Sequence, residues 1–251
     1  MQVFKTTLAG CIILFSLNSY SQSLITDRPD QTESAVTVPL NSLQIETGIA
    51  YESLKESSIS IKNYSIAGTL IRYGLVDFLE LRLGGAYLVT EAESTKDGPG
   101  NFFTGIKVNF ISEETNSVNL ALLAQAFLPL GSAAFKPEKV DPQLIIAISK
   151  SLTEKMSLSG NIGGLYSSAI EELIYRYTAS LGISLANELS MFAEVYGNLT
   201  TKSAPIHNFD AGFTYLLSND LQIDISGGKG ISGIESFWFL SSGISIRLKN
   251  L

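Results

Sequence analysis

From Ser42 onward, apolar and polar residues alternate with a period of two, and clusters of turn residues cut the chain into segments of roughly ten residues. The first segment is the cleanest. Leu43, Ile45, Thr47, Ile49 and Tyr51 share one face, and Gln44, Glu46, Gly48, Ala50 and Glu52 share the other. The same alternation runs through 78–90, 118–128, 173–185, 207–217, 221–227 and 236–248. In the last of these, Trp238, Leu240, Ile244, Ile246 and Leu248 oppose Ser241, Gly243, Ser245 and Arg247. Weaker segments lie at 61–74, 102–111, 142–152, 157–168 and 189–199. In 61–74 both faces are fairly apolar, which predicts a bulge or a slipped register there. Together the pattern predicts about twelve strands, an even number as bacterial barrels require.

Alternation alone fits a soluble sheet as well as a membrane barrel. Composition shifts the balance. Hydrophobic residues make up 45% and charged residues 16%, and mean hydropathy is +0.22, a surface too poor in charge for an ordinary soluble domain. Past the N-terminus no apolar run reaches the roughly 18 residues a membrane helix needs. The remaining spanning solution is a closed barrel, because only helices and closed barrels satisfy their backbone inside lipid. The expected fold is all-β: a closed antiparallel transmembrane β-barrel with a short N-terminal arm, in the outer membrane of a Gram-negative bacterium.

Connection lengths favour the same reading. The linkers 75–77, 186–188 and 218–220 read as tight, and 91–101, 129–141, 200–206 and 228–235 read as long. If Ser42 starts on the periplasmic side, every tight linker is periplasmic and every long one extracellular, the sorting expected of such barrels. Residues 1–21 read as a signal peptide: Lys5, an apolar core from Leu8 to Leu17, and the small-x-small site Ser19-Tyr20-Ser21. Leu8-Ala9-Gly10-Cys11 imitates a lipoprotein box. Cutting there, however, would strand the best apolar stretch on the mature side. Residues 22–41 form a periplasmic arm or plug, and 42–251 the barrel. The single cysteine, Cys11, lies in the leader, so disulfides and thiolate metal sites are excluded from the mature chain. The net charge of -7 and the lack of a basic run argue against nucleic acid as a partner.

Several stretches resemble an outer-membrane transporter family named for the meta-cleavage pathway of phenol degradation. Thr26-Asp27-Arg28-Pro29-Asp30-Gln31-Thr32-Glu33-Ser34, then Val38-Pro39 and Gln44-Ile45-Glu46-Thr47-Gly48, are similar to its N-terminus. Leu70-Ile71-Arg72-Tyr73-Gly74-Leu75 with Glu80-Leu81-Arg82-Leu83 is similar to its second hairpin. Asp210-Ala211-Gly212-Phe213-Thr214-Tyr215-Leu216, Gln222-Ile223-Asp224 and Gly243-Ile244-Ser245-Ile246-Arg247 are similar to its last strands. The resemblance implies a porin-like transporter of unassigned substrate. The chain ends Leu248-Lys249-Asn250-Leu251, where many outer-membrane barrels carry an aromatic residue read by the insertion machinery.

Charges on the face opposite the lipid are the candidate site. They are Glu46, Glu52, Arg72, Glu80, Arg82, Lys107, Arg176, Glu194, Asp210, Asp224 and Arg247. Such groups can line a watery path and select solutes, or lock into a salt-bridge lattice that fills the lumen. Because both signs are present, the lattice is the favoured expectation. Arg72 and Glu80 flank the turn 75–77 symmetrically and are predicted to face each other. Asp27, Arg28 and Asp30 either plug the periplasmic mouth, with Arg28 paired to a wall carboxylate, or form a loose tether or a docking strip for a periplasmic partner. Proline and dense charge argue against a strand there. Tyr51, Tyr73, Tyr87, Tyr166, Tyr175, Tyr177, Tyr215 and Trp238 suit interfacial girdles.

Enzymatic chemistry is not expected. His207 is the sole histidine, and Asp210, three residues on, points to the other face of a strand. No second histidine or thiol completes a catalytic or zinc set. Gly227-Gly228-Lys229-Gly230 precedes no helix and reads as a loop. The acidic segment Glu91 to Asp97 could hold calcium but reads as solvated. No cofactor is implied. The expected partners are outer-membrane lipid, the barrel-insertion machinery and a small solute. The expected function is a channel or transporter for small solutes, with hydrophobic or aromatic compounds among the candidates. The alternative is a structural or adhesive barrel with a sealed lumen.

Overall fold

The computed structural model describes residues 24–56, 59–233 and 236–250. The predicted leader and its cleavage site fall outside the described residues. The strands in chain order are β1 (Leu43–Glu56), β2 (Ile59–Val76), β3 (Leu79–Glu91), β4 (Thr95–Ile111), β5 (Asn119–Phe127) and β6 (Asp141–Thr153). They continue with β7 (Met156–Ser167), β8 (Glu172–Ser184), β9 (Leu189–Leu199), β10 (Ile206–Ser218), β11 (Leu221–Ser232) and β12 (Ser236–Leu248). Each pairs antiparallel with its neighbours in sequence, and β1 pairs with β12 to close the barrel. Closure leaves no strand edge exposed to lipid, which offers no hydrogen bonds to an unpaired backbone.

The alternation in the sequence orients the wall. Gln44, Glu46, Arg72, Glu80, Lys107, Glu194 and Asp210 are buried, each at 1% exposure or less, whereas Ile49 (61%), Ile162 (72%), Ile225 (56%) and Leu240 (56%) stand open on the outside. This inverts the soluble rule that charge faces out, so lipid is the solvent of the outer face. Aromatics collect near the strand ends on that face. Tyr51 packs against Tyr64 and Trp238 at 5.1 Å near the upper rim. Tyr73, Phe78, Phe110 and Tyr215 lie towards the lower rim, with Phe78 and Phe110 well exposed. Ile162 sits near the middle of β7. Ile162→Arg is expected to cost about 2–4 kcal/mol of folding free energy in lipid vesicles, the scale for a midplane arginine on a lipid face. A denaturant titration in vesicles checks this.

The connections differ in part from expectation. The rim that carries the start of β1 has short turns at 77–78, 154–155 and 219–220, but also the seven-residue connection 112–118. At the far rim, 128–140 is long, whereas β3 and β4 are joined only by 92–94, and β11 runs to Ser232. Two stretches read as loops, 95–101 and 228–232, are therefore strand. Glycine and proline broke the pattern there without breaking the ladder. Pro99 pairs with Tyr87 on β3, but no β5 residue pairs β4 above Phe103, so proline's missing donor is not needed on that side. Gly228 leaves room for the ring of Phe239, 2.5 Å from where a Cβ would stand.

The predicted irregularity in 61–74 is a bulge. The pairing slips between Gly48 and Ala50 on β1 and again between Ile66 and Thr69 against β3, with Ala67 at a φ of 50°.

Candidate functional site

Residues 24–41 run inside the barrel rather than hanging below it. The arm enters at the lower rim, where the Leu24 amide donates to the Asn219 carbonyl (3.1 Å). It rises to a tip at Arg28–Gln31 and returns to the same rim, where Leu40 bridges to Gly74 on β2. A side chain on Gly74 would strike the carbonyls of Val38 and Pro39, so glycine permits that close approach.

An arm without regular structure must find partners for its buried backbone groups, and here the wall supplies many of them. The Asp27 amide donates to Glu46 (3.0 Å), Gln31 to Glu194 (2.6 Å), Glu33 to Asn161 (2.7 Å) and Val38 to Glu80 (2.9 Å). In return Gln44 donates to the Ile25 carbonyl (2.8 Å), Asn161 to that of Glu33 (3.0 Å) and Asn109 to that of Ala35 (2.7 Å). Ala35 gives the arm an apolar footing against the inward side chains Ala121, Leu123, Ile145 and Ala147 of β5 and β6.

At the heart of the contact lies a charge lattice. Arg72 grips Glu80 with two parallel hydrogen bonds of 2.9 Å and reaches Glu46 at 3.0 Å and Asp27 at 3.4 Å. Arg82 binds Asp27 (2.6 Å), Glu33 (2.7 Å) and Glu80 (2.8 Å), and Lys107 binds Asp27 (3.1 Å). Four carboxylates thus surround three cations, and two of the four, Asp27 and Glu33, come from the arm. Arg72 and Glu80 do meet, but diagonally. The residue opposite Arg72 in register is Arg82, and Glu80 lies opposite Gly74. The two arginines tolerate adjacency because carboxylates surround both.

The tip makes a second anchorage at the barrel seam. Arg28 pairs with Asp224 of β11 (3.0 and 3.3 Å) and donates to Ser241 of β12 (3.1 Å). Its guanidinium lies over Gly48 and Gly243, which face each other across the β1–β12 seam. A Cβ on Gly48 would come within 2.6 Å of it. Gly243→Val is therefore expected to expel Arg28 and loosen the tip while the barrel still closes. Faster proteolysis near residue 28 in folded protein checks this, and an unchanged cleavage rate contradicts it.

The remaining predicted residues spread around the lumen. Asp30 accepts from Ser180 (3.1 Å), Arg176 donates to Gln31 (2.6 Å), and Thr32 bonds both Glu194 and Thr178. Asp210 is fully buried on β10. Arg247 belongs to a separate clasp at the lower rim, where it and Lys249 bind Asp220 at 2.7 and 2.6 Å. Partial burial alone would raise the Asp220 carboxyl, but hydrogen bonds from Lys249 and Arg247 hold it below the usual carboxylate range. Neutral residues that the charge-based reading passed over, Asn109, Asn161, Thr178 and Gln222, also bond the arm. Their signal was present, since each is a polar residue at an inward position.

Cavities lie above and below the arm. Below is one of about 790 Å³ lined by Ile25, Thr37, Asn109 and Glu113. Above are one of about 460 Å³, between the arm tip and Glu52, Arg176, Tyr196 and Phe239, and one of about 490 Å³ beneath Phe135. No residue lines both the lower cavity and either upper one.

His207 accepts or donates a 2.7 Å bond with the Tyr177 hydroxyl, on the opposite face from Asp210. It is the second residue of β10, at the edge of the preceding loop. Among the described residues no group of three or more His, Cys, Asp or Glu is placed to hold a metal ion. In the Glu91–Asp97 segment, Tyr87 donates its hydroxyl to Asp97.

The family described as "Putative MetA-pathway of phenol degradation" matches residues 26–248, nearly the whole described chain. The chain belongs to this family. The matched stretch takes in the arm from Thr26 onward as well as all twelve strands. No curated protein matches the chain. Among solved structures it is similar to an outer-membrane channel from Pseudomonas putida F1, at 12% identity and a TM-score of 0.68, covering 86% of this chain and 98% of that one. The KdgM porin in complex with disordered oligogalacturonate is similar at 10% identity and a TM-score of 0.54, covering 81% and 98%. The translocator domain of the autotransporter NalP from Neisseria meningitidis is similar at 10% identity and a TM-score of 0.55, covering 82% and 88%. At these identities the likeness is one of fold. With its apolar belt, the chain is a β-barrel of the bacterial outer membrane.

Proposed function

We propose that this family member is an outer-membrane channel for small solutes, narrowed by its own N-terminal arm. One observation carries this reading. The two ends of the lumen are hollow, and what separates them is the arm together with the wall side chains that bind it. Barrels of about eight strands can be filled by side chains alone, and those of about sixteen hold a water-filled channel. A twelve-strand wall falls between, wide enough to need a plug. The wall lining is polar and carries both signs, which suits passage of hydrated solutes and offers nothing resembling a catalytic set.

The rival is a sealed structural barrel, and the density of bonds to the arm speaks for it. Planar-bilayer recordings separate the two. The channel reading expects discrete openings from intact protein and a larger conductance without the arm. Silence from both forms, in protein shown to be folded, would leave the sealed barrel.

A further inference from the structure

The cavity of about 460 Å³ above the arm tip gathers more negative charge than its surroundings neutralise. Asp30 of the arm and Glu52 of β1 line it, and its positive side chains are Arg28 and Arg176. Arg28 is committed to Asp224 (3.0 Å). Arg176 donates to the neutral Gln31 (2.6 Å) and lies over the Tyr196 ring at 6.0 Å. Among the described residues, no salt bridge reaches Asp30 or Glu52. Below Tyr196 and Asn208 on the same two strands, the register partners Glu194 and Asp210 add two more carboxylates. Glu194 takes bonds from neutral donors, the Gln31 amide and the Thr32 hydroxyl, and Asp30 takes one from Ser180. Asp210 is fully buried, and neither of its oxygens receives a hydrogen bond. Four carboxylates thus stand near one uncommitted guanidinium. Were Glu194 and Asp210 to share one proton, three would still face it.

Three features indicate which cation would balance this charge. First, the carboxylates do not converge. Among the described residues no three acidic side chains are placed to hold a metal ion. They stand apart instead, on the arm, β1, β9 and β10. A hollow of about 150 Å³ holds a benzene ring, so this one has room for a cation with an organic body. Second, rings line the cavity: Tyr196 of β9, and Phe237 and Phe239 of β12 with centroids 6.2 Å apart. Aromatic faces attract cations and cover the carbon attached to them. Third, an acceptor waits without a donor. Asn208 lines the same cavity, is 5% exposed, and its Oδ1 has no partner. A buried acceptor left unpaired is costly, and an ammonium group brings three N–H donors.

We infer that this cavity binds a small organic ammonium ion, its charged head among Glu52, Asp30 and Asn208 and its carbon body against Phe237 and Phe239. The inference rests on the channel reading for transport and names its solute class; the binding itself is tested separately. A cleft lined by one sign of charge also concentrates counter-ions at its mouth, which feeds such a site from outside. Because Asp30 belongs to the arm, the site is complete only while the arm is docked. Withdrawal of the tip would remove one carboxylate and weaken the hold on the ion.

Calorimetric titration of benzylammonium chloride into folded protein in zwitterionic detergent tests this, with the heat of injection into empty micelles subtracted. One saturable site per barrel is expected. The neutral isostere benzyl alcohol should bind at least about tenfold more weakly, the scale of a hydrogen bond to a charged group. Glu52→Gln and Asp30→Asn should each weaken benzylammonium binding about tenfold on the same grounds. Glu93→Gln, in the exposed connection between β3 and β4, should leave it unchanged. Circular dichroism confirms that each variant keeps its sheet. Absence of a saturable site overturns the inference, as does benzyl alcohol binding equally well. So does an affinity indifferent to Glu52 and Asp30, or lowered as much by Glu93→Gln. Planar-bilayer recordings keep the channel reading apart. Benzylammonium on the extracellular side should reduce potassium current, and less so in Glu52→Gln. Discrete openings from protein that binds no benzylammonium sink the site and spare the channel. Binding that depends on Glu52, in protein that never opens, spares the site and sinks the channel.

Discussion

Removal of residues 24–36 is expected to raise single-channel conductance by about an order of magnitude, because a twelve-strand lumen is wider than its own side chains fill. Thr37 to Asn41 stay in this variant, so the stitch of the chain to Gly74 is kept. Ion selectivity should change with conductance. With the arm in place, four carboxylates face Arg72, Arg82 and Lys107. Asp27 and Glu33 leave with the deletion, so Glu46 and Glu80 alone then face the three cations. The wall at that level turns net positive, and the open channel should prefer anions more than the intact one does. Reversal potentials in a salt gradient read this directly. A deletion that leaves both conductance and reversal potential unchanged would mean that the arm does not obstruct the path.

The second large effect concerns Arg72. All the polar hydrogens of its guanidinium are committed: to Glu80 twice, to Glu46, and to the carbonyls of Ile25 and Val36 on the arm. Arg72→Met keeps much of the bulk and removes the charge, leaving Glu46 and Glu80 buried beside Asp27 with too few cations. Breaking such a pair from one side costs about 3–5 kcal/mol, since the partner's charge stays buried. Urea unfolding in vesicles should show a loss on that scale. Arg72→Lys should recover little of it, because an ammonium cannot make the paired contact with Glu80. The double variant Arg72→Met/Glu80→Gln should lose less than the two single losses added, which measures the coupling between them. Strict additivity would show that water, not Arg72, carries the Glu80 charge.

These two expectations are linked through the arm. Arg72 and Arg82 hold carboxylates of both wall and arm in one network, so wall stability and arm docking are coupled. Loosening at Gly243 acts at the other end of the arm, where the tip rather than the lattice is held. The two kinds of variant should therefore differ. The Arg72 change weakens the whole fold, whereas the Gly243 change frees the tip in a barrel that stays intact.

The sequence alone determined the barrel wall. Period-two alternation survives translation into structure because a strand forces successive side chains to opposite faces, and lipid on one side leaves no choice of face. Residues such as Ile162 and Glu46 could hardly be exchanged without cost. The pattern failed at 95–101 and 228–232, because glycine has no side chain to mark a face and proline reads as a break, while the ladder is made by backbone. The tertiary structure alone decided how the arm is used. Asp27, Arg28 and Glu33 could be read as charged, but their partners lie on strands far away in sequence: Lys107, Asp224 and Arg82. Those pairings depend on barrel width and on where the arm turns, and neither is written in local residue order. The register slips in three neighbouring strand pairs likewise emerged only on pairing. Register is a property of strand pairs, so no single strand could announce it.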